Sequence, residues 1–206
     1  DMVALMDQLG HDRFTIVAHD RGARVAHRLA ADHPDRVHAL TLLDIAPTRE
    51  MYAETGDKFA KAYWHWFYLL QKAPFPENML GADADAYMRY KIGEGSAGLG
   101  IFPPDILQHY IDSFTPEVIH ASCEDYRAAA TIDIEHDNEG ALIQCPLQVL
   151  WGAHGVIEAC FDPLGLWRTR AAGDVVGHAL PSGHYIAEEV PDLLIADALP
   201  FLAAHS

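Results

Sequence analysis

The stretch Phe14-Thr-Ile-Val-Ala-His-Asp-Arg-Gly-Ala-Arg24 decides the fold prediction. Its first five residues are an apolar, β-rich run of the kind expected for a strand buried on both faces. Residues 23–33 have a helical pattern that stops before Pro34. A second apolar run over residues 37–43 predicts another buried strand. This order of strand, helix and strand predicts a parallel sheet with right-handed crossovers.

The sequence outside this stretch extends the same pattern. A helical spacing of apolar residues ends at Gly10, two more strands are predicted over residues 146–152 and 175–180, and a last helix is predicted over residues 191–204. Between Tyr52 and Asp137, aromatic residues are dense and no strand pattern occurs, which predicts a helical insertion. The predicted organisation is a first core part over residues 1–51, a helical cap over 52–140 and a second core part over 141–206.

Composition and charge exclude several classes of partner. The 206 residues include 14 Lys+Arg and 30 Asp+Glu, which gives a formal net charge of −16 at pH 7. This negative charge argues against nucleic acid or an anionic membrane as a partner, and it requires a local basic pocket for any anionic ligand. No apolar run approaches the roughly 18 residues that span a bilayer. The three cysteines lack CxxC spacing and cannot pair completely, which favours a reducing, cytoplasmic setting.

Asp20 is the first candidate catalytic residue. It lies in Ala18-His-Asp-Arg-Gly22 between a predicted strand and helix, where small residues on either side are expected to let a strained turn lift one side chain into a pocket. A carboxylate that attacks an sp³ carbon forms an ordinary ester that water can cleave, so Asp20 indicates alkyl transfer. The alternative is that Asp20 only caps the following helix.

His184 is the candidate general base. It follows the last predicted strand in Pro181-Ser-Gly-His184, the place where such an architecture delivers its base. A third carboxylate must orient the imidazole, and both Asp44 and Asp162 are candidates. We favour Asp44, which ends the second strand, although it could instead cap a turn before Pro47.

Arg21 and Arg24 form the candidate anion site. They are three residues apart on the first turn of the predicted helix and can point to the same side. Two guanidinium groups beside a pocket can bind a carboxylate through charge-assisted hydrogen bonds. The alternative is pairing with a surface acid, which we expect for Arg24 rather than for Arg21.

The chain resembles haloacetate (fluoroacetate) dehalogenases of the α/β-hydrolase fold. The resemblance runs from Asp1 to the C-terminus, and the residue after the nucleophile is most informative, because related epoxide hydrolases and haloalkane dehalogenases usually carry Trp there. The motifs that carry the resemblance are His-Asp-Arg-Gly-Ala-Arg-Val-Ala-His-Arg-Leu from His19, Leu-Asp-Ile-Ala-Pro-Thr from Leu43, Tyr63-Trp-His-Trp-Phe67, Cys123-Glu-Asp-Tyr-Arg-Ala128 and Ser182-Gly-His184.

The resemblance implies a role for each matching residue. Asp20 would be the nucleophile, His184 the base and Asp44 its orienting acid, while Arg21 and Arg24 would bind the substrate carboxylate. The departing halide would receive hydrogen bonds from three cap residues, which on composition alone would be simple packing residues: His65, Trp66 and Tyr126. The implied reaction is hydrolytic dehalogenation of a small 2-haloacid with water, without a metal or a cofactor.

The resemblance also has limits. Members of this family carry several strands ahead of the segment that matches Asp1, so the chain is expected to be a C-terminal portion with an exposed apolar edge at residues 14–18. Two alternatives remain at this point: epoxide hydrolysis on the same fold, with Tyr126 polarising the ring oxygen, or an inactive fragment. A homodimer is compatible with the sequence.

Overall fold

The protein folds around a parallel sheet of four strands. The computed structural model describes residues 1–205, and within them the strands lie in the order β1-β2-β3-β4 with every neighbouring pair parallel. The strands are β1 (Phe14–His19), β2 (Val37–Leu43), β3 (Leu147–Gly152) and β4 (Val175–Leu180). The predicted parallel sheet is therefore confirmed, and the second and fourth strands have their predicted bounds.

Helices account for most of the remaining chain. In chain order they are α1 (Met2–Gln8), α2 (Asp20–Asp32), α3 (Thr48–Ala53), α4 (Asp57–Ala62), α5 (Trp64–Leu69), α6 (Phe75–Ala82), α7 (Ala84–Gly95), α8 (Pro104–Asp112), α9 (Pro116–Ala129), α10 (Ile132–Asn138), α11 (Val156–Cys160), α12 (Pro163–Arg168), α13 (Ile186–Glu189) and α14 (Pro191–Ala204). Two short 3₁₀ helices lie at Pro34–Arg36 and Leu99–Ile101. In none of the helices of residues 1–205 is there an apolar stretch long enough to cross a bilayer.

The two inner strands form the centre of the core. Every residue of β3 is buried, and in β2 Leu40 and Leu42 have no exposed surface. By contrast, β1 lies at the edge of the sheet and Val17 is 47% exposed. The prediction that this strand is buried on both faces is therefore wrong, whereas the expected exposed apolar edge at residues 14–18 is confirmed. Because buried apolar surface contributes about 25 cal/mol per Å², β2 and β3 contribute more to stability than β1 does.

The connection between β2 and β3 carries the helices α3 to α10, which we call the helical segment (residues 48–138). Its first helix begins at Thr48, ahead of the predicted start at residue 52, and no strand lies within it among the described residues. Its interior is aromatic: the Phe59 ring lies 5.4 Å from the Trp66 ring, and the Trp66 ring lies 6.0 Å from the Tyr126 ring, both in edge-on geometry. Aromatic pairs at such distances prefer edge-to-face contacts, which hold α4, α5 and α9 together.

A buried ion pair joins the two ends of the helical segment to the loop before β4. Arg170, only 5% exposed, donates to Glu50 at 2.6 Å from Nη2 and to the main-chain oxygen of Asp137 at 2.7 Å from Nη1. Glu50 lies on α3 and Asp137 on α10, so one guanidinium bridges the start and the end of the segment. Nε of Arg170 also donates to the other oxygen of Glu50 at 3.3 Å. The two bonds to Glu50 satisfy the desolvated carboxylate and compensate the cost of burying its charge.

We predict that Arg170→Met lowers the free energy of unfolding by about 1–3 kcal/mol, because Glu50 would keep only the exposed Arg49 as a cationic partner and the main-chain oxygen of Asp137 would lose its donor. The measurement is urea unfolding followed by circular dichroism. The matched control is Arg89→Met, which removes an exposed i,i+4 pair with Asp85 and should leave the transition midpoint unchanged. Equal effects of the two variants would contradict a bridging role for Arg170.

Candidate active site

Asp20 is held in a strained turn between β1 and α2. Strand β1 ends at His19, α2 begins at Asp20, and the φ angle of Asp20 is +47°. A non-glycine residue in this left-handed region is uncommon and costs free energy, so the surrounding structure must hold it there. The predicted need for a small residue at Gly22 is not seen among residues 1–205, since a Cβ there would have no neighbour within 4 Å.

Asp44 lies beside Asp20 because the strands that precede them are in register. His19 is aligned with Leu43, so each carboxyl follows the end of its strand at the same edge of the sheet. Asp44 is 2% exposed and also has a positive φ, +48°. Its Oδ1 accepts a hydrogen bond from the main-chain N–H of Gly152 at 2.9 Å, which fixes the carboxylate plane and leaves Oδ2 for a second donor.

His184 connects the two carboxylates. Its Nδ1 lies 2.6 Å from Asp44 Oδ2, and its Nε2 lies 3.3 Å from Asp20 Oδ2. Because an ionised carboxylate only accepts, the Asp44 contact places a proton on Nδ1 and directs Nε2 at Asp20. The sequence candidates Asp20, Asp44 and His184 are thus brought together, although they lie far apart in the chain.

The second acid candidate, Asp162, is not part of this group. Its Oδ1 accepts from the main-chain N–H of Gly165 at 3.0 Å, which makes it the N-cap of α12. A capping carboxylate satisfies an otherwise unpaired helix N–H. Of the two acids weighed from the sequence, the geometry places only Asp44 against His184.

The main chain around His184 is fixed from three sides. Its N–H donates to the carbonyl of Gly95 at 2.7 Å, and its carbonyl accepts from Nε2 of His19 at 2.8 Å. The preceding residue, Gly183, packs so closely on Gly152 that a Cβ built on Gly152 would lie 2.0 Å from the Gly183 carbonyl oxygen. Only glycine at position 152 allows this approach, so sheet, loop and helical segment together set the position of the imidazole.

The charges of these residues depend strongly on each other. Burial lowers the pKa of His184, but hydrogen bonds and charges of Asp20 and Asp44 outweigh it and raise the pKa to about 10. Burial raises the pKa of Asp20, yet the hydrogen bond to His184 and the nearby cations bring it well below the usual range. The pair is therefore an imidazolium and a carboxylate at neutral pH. If either member is neutralised, the pKa of the other shifts back towards its usual value.

Arg21 and Arg24 flank Asp20 on the first turns of α2. Contrary to expectation, Arg21 is the one with an acidic partner: its Nε pairs with Asp125, and its Nη2 donates to the Asp125 main-chain oxygen at 3.0 Å. Arg24, 7% exposed, donates to Thr48 and stacks with its guanidinium carbon 4.5 Å from the centre of the Trp66 ring. A planar guanidinium suits such stacking and keeps its edge free for hydrogen bonds.

Both guanidinium groups retain buried donors without a protein partner. Within residues 1–205, Nη1 of Arg21 and Nε of Arg24 are buried and unpaired. Arg21 lines both a cavity of about 580 Å³ that contains Asp20 and a second cavity of about 530 Å³, and Arg24 lines the second. Buried charged donors are costly unless they are paired, so these N–H groups are candidates for binding an anion, with Arg21 in the cavity of Asp20 and Arg24 in the second cavity.

The three predicted halide-binding residues line the cavity that contains Asp20. His65 and Trp66 on α5 and Tyr126 on α9 are each at most 8% exposed. Burial, with a contribution from Lys91, lowers the pKa of His65 to about 3, and burial raises the pKa of Tyr126 well above its usual range. The imidazole is therefore neutral and the phenol keeps its proton, so each has one donor hydrogen. Trp66 and Tyr126 also belong to the apolar core, and the packing role and the lining role coexist.

Sequence reasoning did not find several residues of this cavity. Lys91 on α7 lines it, and its Nζ lies 3.0 Å from Nδ1 of His65. Nothing in the sequence links two residues on separate helices. His19 does not line the cavity but holds the His184 carbonyl, and it could have been noticed as the neighbour of Asp20. Three side chains with metal-ligand spacing come together on the surface of the helical segment: Glu77, His120 and Glu124. The sequence did not predict this group, because the histidines are scattered along the chain. Arg127 pairs with both glutamates and offsets one of their two negative charges.

Comparison with known proteins agrees with this geometry. Residues 1–92 match the family model described as the alpha/beta hydrolase fold. A fluoroacetate dehalogenase from Burkholderia sp. is 43% identical over 196 residues, which cover 93% of this chain and 64% of that protein. A soluble epoxide hydrolase from Corynebacterium sp. is 26% identical over 98% of this chain and 71% of its own length. The chain thus spans about two thirds of these relatives.

Solved structures give the same result. A Nostoc sp. protein proposed to be an alpha/beta hydrolase superposes with a TM-score of 0.95 and 48% identity over all of this chain and 71% of its own. A proposed epoxide hydrolase from Pseudomonas aeruginosa has a TM-score of 0.93 and 40% identity, over all of this chain and 70% of its own. From the family-model match and the similarity to these relatives, the chain belongs to the α/β-hydrolase family.

Proposed function

We propose that the protein hydrolyses the carbon–halogen bond of a small 2-haloacid such as fluoroacetate, and that Asp20 is the nucleophile. The observation that carries the proposal is the pair of buried, unpartnered guanidinium donors on Arg21 and Arg24 beside a carboxylate nucleophile. A carboxylate bound to Arg21 would lie in the cavity that contains Asp20, in a protein whose overall charge otherwise repels anions. The similarity to a fluoroacetate dehalogenase supports the same substrate class.

In the first step, a carboxylate oxygen of Asp20 forms a bond to the α-carbon as the carbon–halogen bond breaks. The halide leaves with the bonding electron pair and becomes an anion. His65, Trp66 and Tyr126 line the cavity and can donate N–H and O–H hydrogen bonds to it. Because fluoride concentrates its charge on a small atom, donors that strengthen as this charge develops lower the barrier most.

In the second step, water hydrolyses the Asp20 ester. Formation of the ester removes one of the two negative charges that raise the pKa of His184, so the imidazole loses its proton more readily at this stage. Neutral His184 then takes a proton from water through Nε2, and the hydroxide attacks the ester carbonyl of Asp20. The hydroxy acid departs, Asp20 returns to a carboxylate, and Asp44 holds the imidazolium in place.

Epoxide hydrolysis is the second candidate function, favoured by relatives of that class and by the tyrosines Tyr63, Tyr126 and Tyr185 that line the cavity. A tyrosine hydroxyl could polarise an epoxide oxygen while Asp20 opens the ring. A neutral epoxide, however, would leave the buried donors of Arg21 and Arg24 unpaired. The dehalogenase proposal uses them, and for this reason it is the one we put forward.

We expect the full-length protein to release fluoride from fluoroacetate, and Asp20→Asn to lower the rate by more than about 10⁴-fold, as expected for loss of a nucleophile. The measurements are fluoride release and mass spectrometry after a single turnover in ¹⁸O-water, where the label should enter the Asp20 carboxylate. Faster turnover of styrene oxide than of any haloacid would instead assign the epoxide reaction. Absence of label in Asp20 would contradict the ester.

Arg24→Met should raise KM for chloroacetate by about 10–100-fold, because a charge-assisted hydrogen bond to the substrate is lost. The measurement is steady-state kinetics with chloroacetate and with neutral chloroacetamide, for which KM should change little. The matched control is Arg89→Met, which removes an exposed pair with Asp85 on α7 and should leave both constants unchanged. Equal losses on acid and amide would contradict the carboxylate site.

The two steps should depend differently on pH. Asp20 has a lowered pKa and stays ionised, so the first halide release should be constant between about pH 5 and pH 9, a range above the usual carboxyl pKa. Ester hydrolysis needs neutral His184 and should slow about tenfold per pH unit below the pKa that this residue has in the ester. Rapid-quench measurements at low pH should show a burst of one halide per site and then slow turnover. A first step that slows equally at low pH would overturn this scheme.

A further inference from the structure

Lys91 makes a contact with His65 that the proposed reaction does not yet use. Its ammonium nitrogen lies 3.0 Å from Nδ1 of the imidazole. The two residues lie on different helices, α7 and α5, and both line the cavity that contains Asp20. Within the described chain, this is the hydrogen bond that joins the His65 ring to another residue.

The chemistry of the two groups decides where the proton of His65 resides. Burial lowers the pKa of Lys91 to about 8, so at pH 7 it is mainly an ammonium, which has three donor hydrogens and no acceptor. Nδ1 of His65 must then accept from it. A neutral imidazole carries one N–H, and buried His65 is neutral, because burial and the charge of Lys91 lower its pKa to about 3. The hydrogen of His65 must therefore be on Nε2, the nitrogen on the far side of the ring from Lys91.

We propose that Lys91 is a positioning residue that locks His65 in the Nε2–H form, and so makes the site selective for fluoride over heavier halides as the leaving group. This inference rests on the proposed dehalogenase function and deepens it. Without Lys91, the imidazole could place its hydrogen on either nitrogen and could present a lone pair to the departing halide. A lone pair facing an anion repels it, whereas an N–H stabilises it.

The effect should depend on the halide. Fluoride is small and basic, so its departure depends on strong, well-directed hydrogen bonds that form as its charge develops. Chloride spreads its charge over a larger atom and leaves with less assistance. Loss of the correct His65 tautomer should consequently slow fluoroacetate much more than chloroacetate, while substrate binding by the arginines is left intact.

The first test needs no activity. ¹⁵N NMR of histidine-labelled protein distinguishes a protonated ring nitrogen from an unprotonated one, and His65→Gln assigns the signals of this ring. We expect Nε2 to be protonated and Nδ1 to accept a hydrogen bond in the wild type. Lys91→Met should change the tautomer signals of His65, and the control Lys72→Met, at an exposed position, should not. A protonated Nδ1 in the wild type would overturn the proposal.

The second test is kinetic. Lys91→Met should lower kcat for fluoroacetate at least tenfold more than kcat for chloroacetate, with KM for both nearly unchanged. Lys91→Arg, which keeps a donor-only cation, should restore most of the selectivity, and Lys72→Met should behave like the wild type. Equal losses for both substrates, or no loss, would overturn the role of Lys91. A wild-type protein that releases neither halide would instead refute the proposed function, and the NMR result would still decide the tautomer.

Discussion

The parallel pairing of β1 with β2 is the constraint on which the rest of the site depends. With His19 aligned to Leu43, the residues that follow the two strands, Asp20 and Asp44, lie side by side at one edge of the sheet. Both have a positive φ, so both carboxylates are held above the strand ends by a backbone that would not adopt this form alone. His184 follows β4 and lies between these two carboxylates. A shift of one residue in the pairing of β1 with β2 would separate Asp20 from Asp44.

The charges around Asp20 are opposite in sign to the net charge of the chain. The chain carries a large negative charge, yet two arginines flank Asp20 and stack on aromatic rings: buried Arg24 on Trp66 and partly exposed Arg21 on Tyr126. Stacking supports a guanidinium without consuming its N–H groups. The aromatic rings that pack the helical segment thus also contact the guanidinium groups of the two arginines. This explains why Trp66 and Tyr126 belong to both the core and the cavity.

The sequence predicted those parts of the structure that depend on local pattern. Apolar runs predicted the four strands, and Asp20, Asp44 and His184 were each predicted to follow a strand. It failed where the outcome depended on contacts between distant segments. The pairing of Arg21 with Asp125 and the contact of Lys91 with His65 each join two elements whose distance no local pattern encodes, and the exposure of β1 depends on what packs beside it.

Helix α7 contributes to the site at two points. Lys91 contacts His65 at the end of the cavity proposed for the leaving group, and the carbonyl of Gly95, one turn later, accepts the main-chain hydrogen bond of His184. One helix thus contacts both His65 and the loop that carries His184. A displacement of α7 would change both contacts, so the two proposed steps share one structural support.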